Sequence, residues 1–158
     1  MFRHYKYILG PTFTAMLTII ASSSFAEPPA KPGPHTQEEI AAIERCVLTR
    51  MLLSLQSPVA GVSIDGHDPP AALLAPFANL VPYSRIDIHH RPWWDKTTHK
   101  HAVTIYLDGD KIQWRGADKA SIDIGVGDNW KGGYFGTYIV IRRKGQWAIS
   151  NYQSRGVV

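Results

Sequence analysis

From Tyr83 onward the chain reads as strand after strand with no helix between them. Apolar side chains alternate with polar ones at Ile86 and Ile88, then at Val103, Ile105 and Leu107, then at Ile112 and Trp114. They alternate again at Ile122, Ile124 and Val126. Such alternation gives each strand one buried and one wetter face. The last stretch, Gly133 to Gln153, is a closing hairpin of two β-branched and aromatic arms around Arg143-Lys144-Gly145. Asp108-Gly109 reads as a further two-residue turn. Six strands in succession, over Ser84–His90, Ala102–Leu107, Lys111–Arg115, Ser121–Val126 and the two arms, are expected to pair with their neighbours as an antiparallel sheet.

An antiparallel sheet with one apolar face needs a cover, and the first half of the chain supplies one. Thr36-Gln37-Glu38-Glu39 is a capping box. Ile40, Ile43, Val47, Met51 and Leu55 follow at helical spacing to about Gln56, with Leu48 and Leu52 widening the stripe. Glu44 and Arg45 fall outside the narrow stripe. Ser57 to Pro69 reads as loop, and Ala71 to Leu80 as a short helix made irregular by Pro76. The expected fold class is α+β: a long N-terminal helix packed on a curved antiparallel sheet of about five to six strands.

The chain of 158 residues is long enough for one such domain, expected over residues 36–158. Residues 1–26 read as a secretory signal peptide: Arg3 and Lys6, then a short apolar run, then Ser24 and Ala26 at the cleavage-recognition positions. The apolar run is shorter than a membrane span requires. Residues 27–35 are a proline-rich linker. The protein is therefore expected to be periplasmic or secreted, with no membrane span after cleavage. The net charge of +4 includes Arg3 and Lys6 of the leader. What remains is too weakly basic, and has no basic stripe, for a nucleic-acid partner. Cys46 is the sole cysteine, so no internal disulfide forms, and its apolar neighbours suggest a buried thiol.

Tyr138, Val140, Arg142, Gly145 and Trp147 spell Tyr-x-Val-x-Arg-x-x-Gly-x-Trp. They follow Ala120-Ser121-Ile122-Asp123-Ile124 and Gly132-Gly133-Tyr134. This ending resembles that of a loose group of small exported bacterial α+β proteins. The layout over 36–153 is similar to the cystatin-like and nuclear transport factor 2-like (NTF2-like) rolls, in which a bent antiparallel sheet wraps a long N-terminal helix. Enzymes of that type, such as ketosteroid isomerases, carry an aspartate and a tyrosine in the cone of the roll, and neither maps onto a position here.

Two constellations could carry chemistry. If strands 84–90 and 101–107 pair, with Ile86 and Ile88 buried beside Val103 and Ile105, then His90, His99 and His101 share a face near the connecting loop. Three imidazoles, with Asp95 as a possible fourth ligand, suit zinc or copper. The alternative is that they are exposed histidines that only titrate. The second constellation is aromatic: Trp93 and Trp94 in the loop 91–98, and Trp130, Tyr134 and Phe135 in a glycine-rich segment. Aromatics beside bends can form a ligand or partner surface, or close the end of a core. The cations Arg142, Arg143 and Lys144 suit a solvated hairpin tip or a contact for an anionic partner. No nucleophile elbow, phosphate loop or zinc-protease motif occurs. The expected function is an exported, non-enzymatic binding protein for a protein or small-molecule partner in the cell envelope, with a homodimer possible. The alternatives are an NTF2-like enzyme with a small-molecule pocket and a histidine-based metal-binding protein.

Overall fold

The computed structural model describes residues 35–55, 57–128 and 132–157. The leader, nearly all of the linker, and Trp130 lie outside the described residues.

Helix α1 spans Gln37–Ser54. Its first turn is held as the sequence dictates: the Glu39 N–H donates to the Thr36 hydroxyl at 3.2 Å, and the Thr36 N–H donates to the Glu39 carboxylate at 3.3 Å. Thr36→Ala removes one of these partners and is expected to cost about 1 kcal/mol. A fall in the urea midpoint with unchanged slope would report it, and no fall would mean the cap is idle.

Eight strands follow, with a four-residue helix α2 (Ala71–Leu74) among them. They are β1 (Val59–Ile64), β2 (Leu80–Pro82), β3 (Ile86–Asp87), β4 (Trp94–Asp95), β5 (Ala102–Trp114), β6 (Lys119–Asp128), β7 (Gly132–Arg143) and β8 (Gln146–Val157). The main sheet has six strands in the order β2-β1-β5-β6-β7-β8. From β5 to β8 it is an antiparallel meander. β1 pairs parallel with β5 on one side and with β2 on the other.

The chain is α+β in the broad sense, but the expected architecture is corrected: the sheet is mixed, and strand rather than helix dominates. The region read as loop holds β1, and β2 lies at the end of the region read as helix. β1 was invisible as a strand because parallel strands are covered on both faces and so do not alternate. Val59 to Ser63 are all buried. Asp108-Gly109 is not a turn either, since β5 runs through it with a register irregularity between Asp108 and Gln113. The disturbed ladder is repaired from outside: the Asp110 N–H donates to both carboxylate oxygens of Asp65, at 3.1 and 3.0 Å. The hairpin of 84–90 with 101–107 does not exist. Residues 86–87 pair instead with 94–95 in a separate two-stranded sheet.

α1 covers one face of the main sheet. Ile43, Val47, Leu48 and Met51 pack on Val62, Ile105, Ile122, Tyr138 and Val140 in one core. Glu44, expected outside the stripe, is buried with them. Cys46 is half-buried and unpaired, and burial pushes its thiol up despite the Ile149 backbone. Arg142 pairs with Glu39 at 2.9 Å, tying the closing hairpin to the start of α1. The hairpin turn is Lys144-Gly145, with φ of 50° and 79°, the pair of positive values a tight two-residue hairpin demands.

On the other face a smaller core forms from Val59, Val81, Ile86 and Ala102, with Trp93 packed against it. The segment from Tyr83 to Lys100 thus lies as a flap over β1 and the first part of β5. Gly61 is required here, because a Cβ would stand 2.3 Å from Ile86 Cγ1.

Candidate functional site

The flap covers only part of the outer face. Next to it, Tyr106 on β5, Gly125 on β6 and Phe135 on β7 stand in one cross-strand row, each directly paired with the next. Glycine in the middle leaves a slot between two aromatic side chains. Tyr106 is 38 % and Phe135 41 % exposed. Phe135 leans over Gly156 of β8, its Cζ 2.9 Å from where a Cβ would be. Tyr106 is backed by Tyr83 from the flap, with ring centroids 5.7 Å apart. Burial, and then the Tyr106 hydroxyl, push the Tyr83 phenol up to about 12.

The adjoining row is polar: Asp108, Asp123 and Thr137. Two carboxylates directly opposite each other repel. Each has its own cation: Lys111 reaches Asp108 at 2.8 Å, and Arg155 reaches Asp123 at 3.0 Å. The Thr137 hydroxyl also donates to Asp123, at 2.6 Å. Arg155 is on β8 where the β7–β8 register shifts between Phe135 and Gly136, so it has no partner across the ladder. Together the two rows line a groove of about 590 Å³. It presents two apolar side chains beside hydrogen-bonding groups already held in place.

What holds the flap is Asp95. Its side chain is fully buried, and Arg85 donates to it through Nε at 3.0 Å and Nη2 at 2.6 Å. The Thr98 hydroxyl and Thr97 N–H donate to the same carboxylate. Burial alone would raise the Asp95 carboxyl, but these three donors outweigh it and hold it well below the usual carboxylate range.

Of the described aromatics and histidines singled out in the sequence, only Phe135 lines the groove. Trp93 lies over Gly127, its ring atoms 3.0 Å from the missing Cβ, and closes the flap side. Trp94 is 39 % exposed on the flap's far side, edge-on to His101. Tyr134 faces the α1 side of the sheet, packed against the main core. There it lines a second cleft, about 460 Å³, with His101, Ser54 and Val126. Burial raises the Tyr134 phenol, with Ser54 opposing. Trp130 lies outside the described residues.

The three histidines are separated by the loss of the expected hairpin. His90 is exposed and pairs with Asp87 at 3.2 Å. His99 is exposed in a loop at φ 54°. His101 is half-buried, and among the described residues its Nε2 has no hydrogen-bond partner. Asp95, the suggested fourth ligand, is occupied by Arg85. Among the described residues no group of three or more His, Cys, Asp or Glu side chains is placed to hold a metal ion.

Phe135 was named with Trp130 and Tyr134, but Tyr106 and Arg155 were not singled out. Tyr106 and Phe135 each sit between inward-facing neighbours, which was legible as outward parity. Nothing in the sequence announced the register shift that frees Arg155. Comparison with protein-family models, with curated proteins and with solved structures found no match.

Proposed function

We propose that this is a non-enzymatic binding protein whose ligand is a small saccharide, taken on the outer face of the sheet. The observation that carries the reading is the row Tyr106–Gly125–Phe135, two exposed aromatics flanking a glycine-floored slot. Aromatic side chains accept the C–H face of a sugar ring, and buried aromatic contacts dominate binding energy. Hydroxyls need donors and acceptors in fixed positions, and here Lys111 fixes Asp108 while Arg155 and Asp123 fix each other. Pre-set groups lower the ordering cost of binding. The expected leader over 1–26 would bring the protein to the cell envelope, where saccharides are abundant. No helix among the described residues is long and apolar enough to cross a membrane.

The test is amide chemical-shift mapping with chitobiose, cellobiose and maltose. The amides of Gly125 and Gly136, which line the groove, should move with at least one of them. Tyr106→Ala should weaken that binding about tenfold or more, a loss of about 1.4 kcal/mol. Its melting temperature should stay within about 2 °C, since the side chain is outside the main core. If all three sugars leave Gly125 unmoved, or if Tyr106→Ala binds like the parent, the reading is wrong.

A further inference from the structure

A cleft of about 520 Å³ opens on the α1 side, between α1, the end of β1, α2 and the irregular part of β5. Its walls include Ile40, Ile64, Leu73, Ile112 and Trp114. Into this apolar setting α1 sends Glu44, which is 7 % exposed. Among the described residues no hydrogen bond or ion pair engages its carboxyl. Asp65 comes in from the other side. Glu44 Oε1 and Asp65 Oδ2 lie 3.0 and 3.1 Å from the point where a Cβ on Gly109 would sit, so the two carboxyls meet over the bare glycine.

A buried carboxyl beside a second one, without a cation, is costly unless something compensates. Asp65 is held by the Asp110 N–H. The charged groups facing Glu44 are Asp65 from the end of β1, Asp110 from β5 and Arg45 from α1 itself. The α2 side brings no charge, and His35 stacks on Trp114 at 3.4 Å. Arg45 is the next residue along the helix, and adjacent helical positions do not face each other. Lys111 also acts electrostatically on Asp65 but is bonded to Asp108, so the site is richer in acid than in cations.

We propose that this cleft binds a small organic cation, an alkylammonium or guanidinium group, between Glu44 and Asp65. The two carboxyls supply the charge, and Ile40, Ile64 and Leu73 a channel for a methylene stem. An inorganic ion would want more oxygen ligands than two carboxyls offer. An anion would meet only repulsion. The cleft shares Asp65 and Asp110 with the rim of the saccharide groove but has none of its aromatic row, so Tyr106 reports on the groove alone. The mismatch falls on Glu44: burial first, and then the charge of Asp65, push its carboxyl up to about 7, with Arg45 opposing. A cation that binds the ionised form must release that proton.

The experiment follows the Glu44 carboxyl carbon by NMR through a pH titration, with and without n-butylammonium or guanidinium at about 10 mM, in the range of millimolar affinities. Sodium at equal ionic strength is the control. The expected result is a midpoint lowered by at least one of the two organic cations and not by sodium. Binding of that cation should tighten about tenfold from about pH 6 to about pH 8, as the carboxyl ionises. Glu44→Gln should lose it, with the circular dichroism spectrum retained. Asp65→Asn should weaken it and lower the midpoint of Glu44 by itself. Tyr106→Ala should leave it unchanged, which separates this site from the groove. A midpoint unmoved by either organic cation, an equal shift with sodium, or undiminished binding by Glu44→Gln would overturn the proposal.

Discussion

Asp95→Ala is expected to lower stability by about 3 kcal/mol, the low end of the range for breaking a buried ion pair. The carboxylate is fully buried and takes two bonds from Arg85, one from the Thr98 hydroxyl and one from the Thr97 N–H. Removing it strands all three donors. Arg85 is 36 % exposed, so water recovers part of its charge, which is why the low end applies. The damage should begin locally. Ile86 and Trp93 pack residues 83–100 on the sheet while this knot holds the segment together from within, so amide exchange over Ile86 to Ala102 should accelerate before the rest of the chain responds. Because the folded Asp95 carboxyl lies below its ordinary value of 3.8, its contribution is complete above that value and drains away as the pH falls below it. Urea unfolding near neutral pH checks the magnitude. A variant that unfolds at the parent's midpoint would show that the flap is held by its apolar contacts alone.

Glu44→Gln should do the reverse and make the protein more stable in mild alkali. The folded Glu44 carboxyl sits at about 7 against an ordinary 4.5. A carboxyl raised on folding favours the native state fully at pH values below 4.5, and that advantage is lost as the pH climbs through 7. The parent should therefore lose up to about 3 kcal/mol across that window from this group. Glutamine keeps the shape, carries no charge, and should flatten the profile. Near pH 4 the two proteins should be alike within about 0.5 kcal/mol. Near pH 8 the variant should unfold at clearly higher urea. Equal midpoints there would mean that the ionised carboxylate already has a partner.

The parts of the fold that could be read in the chain are those governed by nearest neighbours. α1 has a cap whose two ends are three residues apart and a stripe that repeats each turn. β6, β7 and the first part of β8 alternate, and β7 and β8 are joined by the two-residue turn Lys144-Gly145. The parts that escaped depend on distant residues. β1 contains Gly61, which is explicable only by Ile86, and its ladder partner lies beyond the whole flap. Ser84–His90 alternates well enough to pass for a strand, yet only Ile86–Asp87 is one, because the Asp87 carboxylate takes the His89 N–H and turns the chain. Glu44 looked like a surface residue because charge predicts exposure, and its burial comes from Asp65 and Gly109 approaching it from another part of the chain. The groove was half legible. The outward parity of Tyr106 and Phe135 was written in their strands, but that Gly125 stands between them is a matter of register.

The parallel pairing of β1 with β5 also bears on how the chain comes together as it is made. A ribosome delivers the N-terminus first, and a chain threaded through a narrow pore emerges in the same order. Val59–Ile64 is then available while its partner, Ala102–Leu107, has yet to appear. β2 offers three residues of parallel pairing, too little to stabilise β1 alone. The meander from β5 to β8 has the opposite character: each of its strands meets a neighbour that has just been delivered, with little loop to close. β1 is thus an apolar segment that must wait for its partner strand. The late half is the template on which it settles.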